Sequence, residues 1–250
     1  MADVHAAIKH YVDNIPYGRV LATATHLSTD IDFQLRTDAE MEQALSRRTI
    51  AGAAERDIYA SYINEAFLRL LEKHGHEIVF QFSLGAEPLP FETGSRLSQR
   101  TIAQLAEMIG RHTNLKFQCF LASRHANQSL CTLARELPNL SLAGYWWHNF
   151  FPDTIRQVFA ERLDMLPLNK QVGFFSDAYC VEWTYAKMII VRKQMAEVLA
   201  QKIQQSQYTF GEALHIARTV LFETAAALLG ITPRSDREPQ EQNPKSRPKT

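Results

Sequence analysis

"LSLAGYWWHNFFPDTIRQVF", residues 140–159, joins a short apolar run to a pair of tryptophans and then to a stretch with helical spacing. The chain holds three tryptophans in 250 residues, and Trp146 and Trp147 are adjacent. Neighbouring residues on a strand point to opposite faces, so the two rings cannot fill one core. One is expected to pack inside and the other to face the mouth of a pocket.

The same alternation recurs on either side. Apolar runs stand at "RVLATATHL" (19–27), "EIVFQFSLG" (77–85), "KFQCFLAS" (116–123), "LSLAGYWW" (140–147) and "QVGFFSD" (171–177). Between them lie segments with apolar residues at three- and four-residue spacing. "RDIYASYINEAFLRLLEKHG" ends on a glycine stop, and "LSQRTIAQLAEMIGRH" carries Ser98 where a helix cap is needed. Two further helices are expected over 181–205 and 210–230. Strands apolar on both faces, alternating with helices, predict a parallel sheet with right-handed crossovers. A doubly wound sheet and part of a (β/α) barrel both fit, and neither a GxGxxG nor a P-loop follows any run. In both architectures ligands bind at the carboxyl ends of strands.

Lysine plus arginine and aspartate plus glutamate balance at 27 each, so no global field recruits nucleic acid or anionic lipid. Cys119, Cys131 and Cys180 lack CxxC spacing, which argues against a disulfide framework or zinc ribbon. The amino terminus lacks a signal-peptide pattern, and no apolar stretch reaches the roughly 18 residues of a membrane span. A cytoplasmic protein without membrane or nucleic-acid partners is expected. Residues 233–250 are polar, carry prolines and lack large apolar side chains. They cannot bury enough surface to offset ordering entropy, so a disordered tail after a 1–232 domain is predicted.

Polar residues gather at the carboxyl ends of the runs. Asp177 follows "VGFF" directly, where it can ligate a metal, take a proton from a substrate hydroxyl, or cap the next helix. His26 ends the first run and is either a hydrogen-bonded structural residue or a ligand. Arg124 follows the third run and could fork onto a substrate carboxylate or hold a loop. Trp147 and Asn149 offer an apolar wall and an amide, a normal lining for a sugar or sugar-acid pocket. His74 and His76 mimic an HxH metal pair but stand at the amino end of a strand.

Together these strand ends resemble the uronate (glucuronate) isomerase family of the amidohydrolase superfamily. Its "GWWFND"-like stretch is followed some thirty residues later by "VGMLTDSR"; this chain has "GYWWHN" and then "VGFFSDAY". Its "QLHIGA" resembles "QFSLGA" at 81–86, and its "ASDHGI" is echoed by "ATHLSTDI". "ARTVLFETAAALLGI" stands where the family has its closing "NNAQRYF" segment, so the resemblance covers about residues 19–231.

The resemblance implies a (β/α)8 TIM-type barrel enzyme of carbohydrate metabolism. Such an isomerase interconverts aldose and ketose sugar acids, glucuronate or galacturonate, often around a divalent metal such as zinc. It implies Asp177 as the metal-binding or catalytic aspartate, and His26 as a second catalytic candidate. Arg124, Trp147, Asn149 and Tyr179 become substrate-binding candidates. By this matching the five runs are the fourth to eighth strands, so an incomplete barrel lacking the family's HxH strand is expected. Ser83 stands for the family histidine, Thr25 for an acid and Tyr179 for an arginine. Weak or absent zinc is therefore expected, since a closed site needs three or four ligands. A non-catalytic remnant that binds a sugar acid, and an amidohydrolase-fold hydrolase, are the rival readings. An open barrel also leaves an unpaired edge and an apolar inner face, which predicts a homo-oligomer or a partner chain.

Overall fold

The structure is a computed structural model, and it describes residues 1–27, 31–46, 52–75, 77–86, 97–146 and 150–232. Helix α1 (Ala2–Asp13) precedes strand β1 (Ala22–His26). Helices α2 (Asp38–Ser46) and α3 (Ala53–His74) then lead to β2 (Val79–Leu84). The alternation continues through α4 (Gln99–Arg111), β3 (Lys116–Leu121), α5 (Asn127–Glu136), β4 (Leu140–Ala143), α6 (Pro152–Met165) and β5 (Gln171–Val172). Helix α7 (Val181–Gln204) follows, and α8 (Phe210–Arg218) runs through a π-helical turn, Thr219–Glu223, into α9 (Thr224–Leu228).

All five strands are parallel and lie in the order β1-β2-β3-β4-β5. A doubly wound sheet needs a reversal of strand order, and this one has none. Right-handed crossovers that always step the same way put every helix on one face. The other face is then the inside of a barrel. Five strands among the described residues, where a complete barrel has eight, make this an incomplete barrel, open at β1.

The two faces differ in chemistry. Phe80, Phe82, Leu84, Phe117, Cys119, Leu121, Leu140 and Leu142 point outward and pack with Leu68, Leu105, Ile109 and Leu130 of the helices. The inner face does not match the expectation of strands apolar on both sides. Gln81 donates to Gln118 across 2.7 Å, and the Ser141 hydroxyl donates to the Phe117 carbonyl. Buried amides and hydroxyls are tolerated there because they satisfy one another.

Local signals explain the boundaries. Ser98 caps α4 by accepting from the Thr101 backbone N–H at 2.9 Å. Strand β5 is shorter than its apolar run because the chain turns toward the last helix. The Gly173 N–H donates to the Val220 carbonyl, which the π-helical turn presents. A Cβ on Gly173 would meet Val220 Cγ1 at 2.7 Å, so only glycine allows this approach. Residues 233–250, with the expected disordered tail, lie outside the described residues.

Candidate functional site

His26 ends β1 and pairs in register with Ser83 of β2, so both side chains leave the inner face at its carboxyl end. His26 Nδ1 lies 2.7 Å from Ser83 Oγ, and Nε2 lies 3.1 Å from the Ala86 carbonyl oxygen. A carbonyl only accepts, so Nε2 carries the proton in the neutral ring, and Nδ1 accepts from the Ser83 hydroxyl. The edge of Trp146 stands against the same imidazole, with ring centroids 5.6 Å apart.

Trp146, at 8 % exposure, donates its indole N–H to Asp177 Oδ2 at 2.9 Å. Asp177 lies beyond β5 at φ 44°, a left-handed conformation rare for a residue with a Cβ. Buried Lys187 of α7 holds it there, donating its ammonium to the carbonyls of Ser176 and Asp177 at 2.7 and 2.9 Å. The same ammonium lies 4.5 Å from the Phe150 ring centre and 5.5 Å from that of Trp183. Burial lowers the Lys187 pKa, and the Asp177 carboxylate partly opposes that shift. Helix α7 starts from Cys180, so Asp177 is not its N-cap. Strained backbone held from outside is common where a side chain must be aimed.

His26, Ser83, Gln81, Phe120, Trp146, Phe175 and Asp177 thus surround one cleft of about 320 Å³. The two sequence-predicted groups that meet here are His26 and Asp177. Arg124 opens instead into a neighbouring polar hollow, where it donates to Gln157 at 3.3 Å beside His125 and Glu161. Tyr179, 89 % exposed, stands edge-on to Trp183 outside the cleft. Trp147 and Asn149 lie outside the described residues, as do His148 and His76. His74 pairs with Asp13, away from the cleft.

Trp146 is the residue that strand alternation hides. Ala143 belongs to the inner face, so simple alternation would turn Tyr145 inward and Trp146 toward the helices. Gly144 breaks the count. It adopts φ 48°, and a Cβ there would lie 2.5 Å from Phe175 Cβ. Buried Arg162 fixes the bend by donating to the Gly144 carbonyl at 2.9 Å. Tyr145 then enters the core with Ile155, Phe159 and Met195, while Trp146 swings over the cleft. A glycine between an apolar run and two tryptophans was the available signal.

The described residues do not fit a divalent metal. Both ring nitrogens of His26 are engaged within the fold, and one Asp177 oxygen is taken by Trp146. Among the described residues, no group of three or more His, Cys, Asp or Glu side chains is placed to hold a metal ion.

No protein-family model and no curated protein matches this sequence. Solved structures do match its fold. Uronate isomerase from Thermotoga maritima aligns with a TM-score of 0.77 and 15% identity over 90% of this chain and 53% of that one. Glucuronate isomerase from Caulobacter crescentus aligns at 0.78 and 14%, over 93% and 51%. A uronate isomerase from Bacillus halodurans aligns at 0.66 and 19%, over 92% and 51%. The chain spans about half the length of these structures, and its fold is that of a partial uronate isomerase-like barrel.

Proposed function

We propose that this cleft binds a sugar acid of the glucuronate or galacturonate type in its open-chain form and interconverts aldose and ketose by proton transfer. The observation that carries the reading is the meeting of Asp177 and His26 across one cleft from strands at opposite edges of the sheet. Asp177 carries the proton between C2 and C1 through an enediol, using the oxygen that Trp146 does not hold. His26 exchanges hydroxyl protons with the substrate at Nδ1 when a substrate hydroxyl displaces that of Ser83. The substrate's own carboxylate is repelled by Asp177 and projects toward the open side. Arg124 and Tyr179 serve a substrate that reaches beyond the cleft, and Trp147 and Asn149 are assigned to substrate binding on the family resemblance alone.

The second reading is a non-catalytic barrel remnant that binds the sugar acid. Its support is the donor set, which does not fit the metal that the fold family implies. Incubation with glucuronate and galacturonate, followed by assay of the ketose, separates the two. Turnover is expected, with Asp177→Asn slower by about 10²–10⁴ and still folded. No turnover of either acid, with or without added zinc or manganese, selects the remnant. Equal rates for both proteins would remove Asp177 from the chemistry.

A further inference from the structure

The Ser83–His26 pair has a geometry that isomerisation does not require. A hydroxyl donates to one ring nitrogen of a histidine, and the other nitrogen is anchored to a fixed acceptor. That is the arrangement of nucleophile, general base and orienting group. We infer that Ser83 is a nucleophile for acyl transfer, acting on neutral esters or lactones of polyhydroxy acids.

Three features support the assignment. Ser83 sits within β2, and its own carbonyl accepts from the Leu27 N–H at 3.1 Å, so its Oγ is carried by rigid backbone. The Ala86 carbonyl fixes the tautomer that leaves Nδ1 free to take a proton, and it stabilises the Nε2–H when the ring becomes cationic. The edge of Trp146 restricts the imidazole to this plane. Charge then selects the substrate. Asp177 is the one carboxylate or fixed cation among the described lining residues, so a neutral lactone suits the cleft better than its anionic acid. The hydroxyls of such a lactone can donate to the free Asp177 oxygen.

The reaction needs only water. Ser83 Oγ bonds to the acyl carbon as its proton passes to His26 Nδ1. The tetrahedral species collapses, the ester C–O bond breaks, and the leaving oxygen takes the proton from Nδ1. Water then attacks the acyl carbon and gives a proton to His26. The Oγ–carbon bond breaks, Ser83 recovers its proton, and the free acid departs.

A reporter-tagged fluorophosphonate tests this without any assay of isomerisation, so the two readings can fail separately. The full chain should gain one adduct, mapped to Ser83 by peptide mass, and should hydrolyse p-nitrophenyl acetate and galactono-1,4-lactone. Ser83→Ala should abolish both signals, and His26→Gln should slow labelling by about 10²-fold or more. Should Ser83→Ala fail to fold, by circular dichroism, Ser83→Cys replaces it and should be alkylated faster than exposed Cys180. Absence of an adduct at Ser83 in folded protein overturns the inference. So does labelling in His26→Gln at the wild-type rate, or hydrolysis that survives loss of the Ser83 hydroxyl.

Discussion

His112 sits buried at the end of α4 between two carboxylates of α3. Its Nδ1 lies 3.0 Å from Glu72 and its Nε2 3.3 Å from Glu65. Burial works against the His112 charge, but the two glutamates outweigh it and raise its pKa. Burial likewise works against the Glu65 charge. The ion pair with His112 and hydrogen bonds from Arg69 and Arg111 prevail and hold that carboxyl at about 2. The signs oppose one another. The Glu65 contribution is present above about pH 4.5 and is lost as the pH falls toward 2. The His112 contribution is present below about 6.5 and is lost as the pH rises through its raised folded value. Urea melts across pH should therefore show stability falling on both sides of a weakly acidic maximum. Glu65→Gln should flatten the acid limb, which is worth on the order of 2–3 kcal/mol. An unchanged acid limb would mean that other carboxylates set it.

At the scale of elements, Lys187 ties the first turns of α7 to the turn that carries Asp177. Lys187→Met removes two charge-assisted hydrogen bonds from buried surroundings. It should lower stability by about 1–3 kcal/mol in urea. It should also shift the Trp146 emission, because the indole's partner is no longer held at φ 44°. A variant with unchanged stability and emission would show that the turn holds itself. All five strands and the long helices were legible as periodic patterns, because burial imposes those periods directly. Two features were not. Strand β5 ends after Val172 because a distant helix offers a carbonyl to Gly173, which no local pattern encodes. Trp146 reaches the cleft because Gly144 reverses the alternation, which reading by strand period alone misses. His26 and Asp177 were legible from position, while the hydrogen bonds that link them to Ser83 and Trp146 needed three dimensions.

For the whole molecule, the open side of the sheet is the dominant fact. Of the inner-face residues of β1, Ala24 and His26 are exposed, and no strand among the described residues pairs beyond it. Phe150 and Tyr179 stand against Trp183, and these three are exposed, as are Phe151, Val181 and Tyr185 beside them in the sequence. Unpaired edges and apolar patches of this kind favour association. Sedimentation at micromolar concentration should give a mass above the 28.5 kDa of one chain. Tyr185→Asp should lower that mass, and a wild-type monomer would show that the edge is tolerated.

The unbroken strand order has a consequence in time. Each strand pairs with the one made just before it, so the sheet can grow in the direction of synthesis, closing one crossover at each step. The final rung is the exception. β5 is secured through Gly173 by Val220, a residue of the closing helical stretch. A nascent chain can therefore assemble four strands early, but its last edge and the turn that carries Asp177 must wait for the final helices to leave the ribosome.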